Sequence, residues 1–251
     1  MDDLKGVTAI VTGGGSGMGA VTAKMLSGAG CKVALWDMNV DAAQKVADDI
    51  GGVAVECDVT SAESVETAMK TTGDARILIN CAGILIGKRI IGRQGPADLE
   101  HFQKVVNVNL VGSFNTMRVA AAHMSGLDPV GEDGERGVII NAASIAAYEG
   151  QIGQAAYSAS KGGIVGMTLP AAPEFARFGI RIMAIAPGAV KTPMIGEISK
   201  ELQDSIEGAV PFPSRMAHAE EFGKLALHII DNNYLNGSVI RLDGAARLAA
   251  K

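Results

Sequence analysis

The sequence predicts an α/β fold, a single doubly wound parallel sheet of about seven strands with helices on both faces. Three observations carry this expectation. Short β-branched apolar runs alternate with helical patterns at a spacing of roughly 30 residues, the length of one strand–helix–strand unit. Glycine reaches 32 of 251 residues, nearly double the usual share of about 7%, which points to tight turns and close backbone approaches. Hydrophobic residues make up 48% and charged residues 20%, so the chain holds enough apolar side chains to cover a sheet on both sides.

Each element follows from its own pattern. Residues 7–12 (VTAIVT) are β-branched and apolar, a first strand. Residues 17–29 read as a helix with Val21, Met25 and Leu26 on one face. Residues 31–37 (CKVALWD) form a second strand, 40–50 a helix with Val46 and Ile50 as its apolar pair, and 52–57 a third strand. Ser61 opens a helix over 61–71 as a plain cap, because Ser64 rather than an acid stands three residues on. Residues 76–80 (RILIN) are a fourth strand, 98–124 one long helix, 137–141 (GVIIN) a fifth strand and 154–178 a second long helix. Within the last, Pro173 is expected to kink or end a turn. Its Gly162, Gly163 and Gly166 allow close packing against the core or a partner subunit. A sixth strand at 180–186, a helix at 218–230 and a last strand at 239–242 complete the pattern. With no low-complexity linker, residues 1–251 are expected to form one domain. The segments 83–97, 125–136 and 187–217 read as loops. The first and third follow strand carboxyl ends, where such sheets bind ligands.

Composition excludes several function classes. Lys+Arg 22 against Asp+Glu 27 gives a net charge of −5, unlike the basic stripe of a nucleic-acid binder. No apolar run approaches about 18 residues, so no membrane span is expected. Residues 1–5 lead directly into the first strand, which reads as a chain without a signal peptide, hence cytoplasmic. Cys31, Cys57 and Cys81 are sparse and odd in number, which suits a reducing compartment. His101, His123, His218 and His228 share no metal-ligand spacing, so no metal is expected.

The first strand runs into Thr12-Gly13-Gly14-Gly15-Ser16-Gly17-Met18-Gly19. Between a strand and a helix, such a turn lets backbone approach a pyrophosphate while the helix N-terminus supplies free N–H groups. This is the mark of a Rossmann-type dinucleotide site. Gly15, Gly17 and Ala20 fit one glycine frame; Gly13, Gly17 and Gly19 fit another. Asp37 ends the second strand, placed to accept hydrogen bonds from ribose hydroxyls and to repel a 2′-phosphate. Ser16, Met38 and Asn39 bring no cation for that phosphate, so NAD is the expected cofactor. Asp58 follows the third strand at the adenine end, as a base contact or a solvated turn residue.

Tyr157 and Lys161 lie four apart and share a helix face. Such a pair is commonly an amphipathic surface pair. Here, beside a dinucleotide turn, an ammonium would stabilise the phenolate and bring down a pKa that is otherwise about 10. Ser144 falls just past the fifth strand, where its hydroxyl could bond a carbinol or carbonyl oxygen.

These motifs, in this order across the whole chain, identify the sequence as similar to the short-chain dehydrogenase/reductase family. TGGGSGMG resembles its cofactor turn, Asn80-Cys81-Ala82-Gly83 its NAG-type motif, Tyr157-Ser158-Ala159-Ser160-Lys161 its YxxxK motif, Asn109 its helix asparagine and Pro187-Gly188 its PG turn. The resemblance implies Tyr157 as acid/base, Lys161 as the group that lowers its pKa and holds the nicotinamide ribose, and Ser144 as the holder of the substrate oxygen. Asn109 would hold a water that links Lys161 to solvent. Gly13, Ser16, Gly17, Met18, Gly19, Asp37, Asn80, Ala82 and Gly83 would line the cofactor, with Asp58 and Val59 near adenine. Pro187, Gly188 and Val190 belong to the same lining, and Thr192 would meet the carboxamide.

Residues 136–170, 210–215 and 235–245 further resemble the branch of the family that oxidises 3-hydroxyacyl-CoA esters, a branch also known for hydroxysteroids. That resemblance implies an NAD-dependent enzyme of fatty acid metabolism, a homotetramer, and Gln151 and Gln154 on the substrate side. A secondary-alcohol or hydroxysteroid dehydrogenase with the same residues is the alternative. A dinucleotide-binding scaffold without activity would need none of Ser144, Tyr157, Lys161 and Asn109. Two weaker signals concern substrate. Lys88, Arg89 and Arg93 would hold the phosphates of CoA or form a solvated loop. Residues 187–217 would form a lid, with Met194, Ile195, Ile198, Leu202 and Ile206 facing an acyl chain or packing in the core. Cys81 reads as a small buried hydrophobe.

Overall fold

A computed structural model describes residues 4–193 and 199–250. Seven parallel strands form the main sheet in the order β3-β2-β1-β4-β7-β8-β9. They are β1 (Thr8–Thr12), β2 (Lys32–Asp37), β3 (Val53–Glu56), β4 (Ile77–Asn80), β7 (Gly137–Ala142), β8 (Ile180–Pro187) and β9 (Val239–Leu242). The chain winds outward from β1 to β3, returns to β4 beside β1, then winds outward the other way. A crevice therefore opens between β1 and β4 at their carboxyl ends, the place where doubly wound sheets take ligands. The pairing Thr12↔Asn80 sits at its lip.

The two faces of the sheet bury separate cores because alternate strand residues point to opposite sides. Ala9 and Val11 of β1 join one cluster with Ala23 and Leu26 of α1 (Gly17–Gly28), Val46 of α2 (Val40–Ile50) and Phe222 and Ile229 of α8 (Ala219–Asp231). Ile10 turns to the other face, with Val65 of α3 (Ala62–Thr72), Met117 and Met124 of α5 (Gly112–Ser125) and Ala171 of α6 (Ala155–Ala176). Trp36 belongs to this second core and is fully buried; its indole Nε1 donates to Thr72 Oγ1 at 2.9 Å.

Four expectations need correction. The helix expected over 98–124 is broken: α4 (Leu99–Val106) passes through a π turn (Asn107–Val111) into α5. The loop over 83–97 contains a short antiparallel ribbon, β5 (Ile91–Gly92) with β6 (Gly95–Pro96). The segment 187–217 contains α7 (Lys200–Gly208), capped by Ser199, whose hydroxyl accepts from Leu202 N. Pro173 ends nothing: α6 runs through Pro170 and Pro173 to Ala176. Each proline removes a bond to the carbonyl four residues back. Gly166 and Leu169 carry those carbonyls on the exposed face of α6, where water can satisfy them. Among the described residues no helix is long and apolar enough to cross a membrane.

Candidate active site

The turn after β1 bends beneath the crevice. Gly13 has φ +65, and a Cβ there would lie 2.9 Å from Ala82 N, so only glycine lets β1 and β4 approach this closely. A Cβ on Gly19 would overlap the Gly13 carbonyl oxygen. Gly17 also has positive φ, and a Cβ on Gly15 would lie 3.0 Å from Ala43 N, so both glycine frames answer to backbone constraints. Ser16 is the exposed N-cap residue of α1, and Met18 packs partly buried against the first core. Thr12 Oγ1 accepts from Cys81 N and Ala82 N, both at 3.1 Å, which fixes the Asn80–Gly83 strand end beside the turn. Asn80 donates to Asn141 Oδ1 at 2.8 Å and accepts from Thr116 Oγ1 at 2.8 Å, a buried polar ladder under the crevice.

Asp37 ends β2 beside the turn. Its carboxylate accepts from Gly15 N and Asn39 N, each at 2.9 Å, so it faces the rim of the turn. Asp58 Oδ1 accepts from Thr60 N and its hydroxyl, so this oxygen shapes the turn after β3. Val59 is buried and its carbonyl accepts from Asn115 Nδ2 at 2.8 Å. A cavity of about 400 Å³ lies between Met38, Asp58 and Ser64 at this end. At the far end Gly188 N donates to Leu242 O, and Val190 is buried beside Ala217. Thr192 leans over the turn: a Cβ on Gly17 would sit 3.5 Å from Thr192 Cβ.

Ser144, just beyond β7, caps a short helical turn (Ile145–Ala147), and its hydroxyl accepts from Ala146 N at 3.1 Å. Tyr157, on the first turn of α6, lies near enough for the Ser144 hydroxyl to favour its phenolate. One turn on, Lys161 is buried; its Nζ donates to Ala142 O at 2.6 Å and lies 5.8 Å from the Tyr157 ring centroid. Thus Ser144, Tyr157 and Lys161 do meet, beside the crevice: a Cβ on Gly83 would be 3.8 Å from Lys161 Nζ.

The electrostatics differ from expectation. Burial raises the Tyr157 pKa above its ordinary value, and the opposing influence is the Ser144 hydrogen bond rather than Lys161. Burial is also the main cause at Lys161, which falls from 10.5 to about 8. A lysine depressed in this way weakens folding below its folded pKa, and the cost fades as pH rises towards the unfolded value. That cost is at most about 3 kcal/mol at neutral pH. Lys161→Met should therefore melt above the parent at pH 7, with the gap closing towards pH 10 in thermal scans. An unchanged gap across that range would disprove the assignment. Cys81 is pushed up to about 12 by burial, an inert thiol as expected.

Asn109 sits in the π turn, fully buried. Its side chain accepts from Ile84 N at 2.7 Å and donates to Ile84 O and to Ser160 Oγ. The amide is spent on clamping the 83–84 loop to α6, so a water on the Lys161 side would have to use the main chain. Gly163 makes the clamp possible, because Leu110 packs where its Cβ would be. Ser160 is the site residue that sequence reasoning passed over, although it stands inside the YxxxK segment.

On the substrate side, Gln151 Nε2 donates to Ala249 O, and Gln154 Oε1 accepts from Gln151 N. Lys88 pairs with Asp98, while Arg89 and Arg93 are exposed, so Lys88 brings no uncompensated charge. In α7, Leu202 is exposed and no residue is buried, which argues against core packing for that segment. Met194, Ile195 and Ile198 lie outside the described residues.

A family model described as short chain dehydrogenase matches residues 7–203. The human protein named 3-hydroxyacyl-CoA dehydrogenase type-2 is 45% identical, over 98% of this chain and 97% of its own. A crystal structure titled 3-hydroxyacyl-CoA dehydrogenase type-2 from Mycobacterium avium superimposes with a TM-score of 0.94 at 38% identity, covering 98% of both chains. A 7α-hydroxysteroid dehydrogenase complexed with NADH and an oxo bile acid superimposes at 0.88 with 26% identity, covering 99% of this chain and 97% of that one.

Proposed function

The chain belongs to the short chain dehydrogenase family, and on that premise we propose that it uses NAD to interconvert (S)-3-hydroxyacyl-CoA and 3-ketoacyl-CoA esters. It is an oxidoreductase that works with a nicotinamide cofactor. The observation that carries the reading is the meeting of Ser144, Tyr157 and Lys161 beside the glycine turn, in a chain 45% identical to a protein named for that reaction.

The residues fit a dinucleotide. The Gly13–Gly19 cradle leaves room that a Cβ would fill, the N-terminus of α1 faces it, and Asp37 offers a carboxylate with no ion pair among the described residues. When bound, the nicotinamide supplies the acceptor for the hydride of the carbinol carbon. Ser144 and Tyr157 hold the substrate oxygen between their hydroxyls. Tyr157 takes the carbinol proton in oxidation and returns it in reduction. Lys161 holds the ribose beside the phenol, and the positive charge of the oxidised nicotinamide, when bound, would offset the upward push of burial on Tyr157. Gln151 and Gln154 border the substrate. Ala82 and Gly83 flank the nicotinamide end, with Thr192 opposite. Exposed Val111, Phe114 and Leu169 suit a homotetramer, since a second copy would cover them. We place the enzyme in cytoplasmic fatty acid metabolism.

The test is NADH absorbance with (S)-3-hydroxybutyryl-CoA and NAD⁺, beside a plain secondary alcohol, and again with NADP⁺. Turnover of the ester with NAD⁺ alone is expected. Asp37→Ala should then lower kcat/KM for NAD⁺ about ten- to a hundredfold, the scale of a lost charged hydrogen bond, and narrow the gap to NADP⁺. Turnover of the alcohol and not the ester would move the function to a secondary-alcohol or hydroxysteroid dehydrogenase, a reading that the hydroxysteroid neighbour favours.

A further inference from the structure

Resting on that reading of the active site, we propose that Arg241 is a positioning residue for the substrate pocket. It fastens the loop carrying Gln151 to the C-terminal segment, which forms one wall of the acyl site.

Residues 148–154 have no regular structure, and Gly150 and Gly153 leave their backbone pliable. Their place is set by bonds from outside. Arg241, on the edge strand β9, forks onto Glu149: Nη1 to Oε1 at 2.8 Å and Nη2 to Oε2 at 3.0 Å. Its Nε donates to Asp243 Oδ2 at 2.7 Å, and Nη2 also reaches Ala246 O. The guanidinium lies over the Tyr148 ring, 5.2 Å from its centroid. Arg247 joins the same carboxylates, bonding Asp243 at 3.1 Å and approaching Glu149 at 3.5 Å. A fork of this kind fixes orientation as well as distance.

The tail then bonds the loop directly. Ile152 N donates to Ala250 O, and Gln151 Nε2 to Ala249 O. Beneath them Ile145, Val210, Ala246 and Leu248 form a small apolar cluster. Ile145 follows Ser144, and Val210 follows α7. The same tail also meets both ends of the lid: Gly188 N donates to Leu242 O, and Phe212 N to Gly244 O. Residues 241–250 thus touch the 148–154 loop, the turn after Ser144 and both ends of the 187–217 segment, through a network remote in bonding from the Gly13–Gly19 turn. The bond that this tail makes to the cofactor lining, Gly188 N to Leu242 O, joins main chain to main chain, so loss of the Arg241 side chain should loosen the substrate side and spare the cofactor side.

Arg241→Met, Glu149→Gln and the double variant are compared with the parent. KM for (S)-3-hydroxybutyryl-CoA and kcat come from steady-state rates, and the NADH Kd from calorimetry. We expect Arg241→Met to raise KM about tenfold, the scale of a lost charge-assisted fork, with NADH Kd unchanged within about twofold. Glu149→Gln should move KM in the same direction, and the double variant should be no worse than Arg241→Met, since both residues act through one contact. Arg241→Lys, a point charge without the fork, should recover part of the loss. An unchanged KM in folded Arg241→Met overturns the proposal. So does an equal rise in KM and NADH Kd, or additive effects in the double variant. Should Arg241→Met not fold, Glu149→Gln decides by the same split. If the parent turns over a secondary alcohol and not the ester, the substrate reading fails instead, and the split is measured with the alcohol.

Discussion

Tyr157→Phe lowers kcat by about 10²- to 10⁴-fold, the contribution of a positioned acid/base, and leaves the NADH Kd within about twofold. The ring and its packing survive; the one group removed is the hydroxyl that meets Ser144. The residues proposed to hold the cofactor, the turn after β1 with Asp37 and Lys161, lose no bond to the phenol. Steady-state rates with the ester and calorimetry with NADH check the two halves separately. Turnover at the parental rate would remove Tyr157 from the reaction, and a collapse of NADH affinity would recast it as a cofactor ligand. A phenol ordinarily titrates at about 10 and burial pushes Tyr157 higher still, so oxidation should also be faster in alkaline solution than in neutral, and the variant should lose that rise.

The largest expected effect on stability belongs to a residue far from the chemistry. Arg181, near the start of β8, is buried, and its Nε donates to Glu135 Oε1 at 2.8 Å. Its Nη1 donates to Ile229 O at 2.8 Å and Leu235 O at 2.9 Å, and its Nη2 to Ile230 O at 3.0 Å. These carbonyls sit at or beyond the C-terminus of α8, where a helix leaves its acceptors unpaired and its dipole favours a cation. Arg181→Ala strips the donor from all of them and the cation from a buried carboxylate. The expected loss is about 3–5 kcal/mol, or about 6–20 °C in melting temperature for a chain of this size. Thermal scans by circular dichroism check it. Assays well below the melt should find the remaining folded enzyme nearly as active, because Arg181 touches no site residue. A shift under about 2 °C would show that water replaces the guanidinium.

The parts legible in the sequence are those whose cause is local. A strand-to-helix turn that needs residues without Cβ announces itself as glycines, so the turn over residues 13–19 could be placed before any coordinates, with two glycine frames left open. Alternating strand and helix patterns gave the sheet its strands within about a residue at most ends. Tyr157 and Lys161 were legible because helical spacing alone puts them on one face. What escaped depends on contacts between distant segments. The π turn at Asn107–Val111 exists where Leu110 meets Gly163 and Asn109 reaches Ile84 and Ser160, so no window around residue 109 contains its cause. The ribbon over 91–96 pairs only two residues per strand, too few for a period-two signal. Arg181 and Arg241 look like ordinary surface cations in sequence, and only the sheet order brings their carboxylates and carbonyls to them. The direction at Tyr157 was misread because spacing shows that a cation is near, while burial, a property of the whole fold, outweighs it.

Trp36 is the chain's one tryptophan, and it stands immediately before Asp37 in β2. Its indole is shielded and held by Thr72, so its light comes from a single, dry environment. Indole emission overlaps the absorption of a reduced nicotinamide. The chain therefore carries its own optical gauge at the adenosine end of the crevice. Dimming of the indole, with a matching rise in nicotinamide glow, would titrate the dinucleotide in real time, with no substrate present and no chemistry occurring.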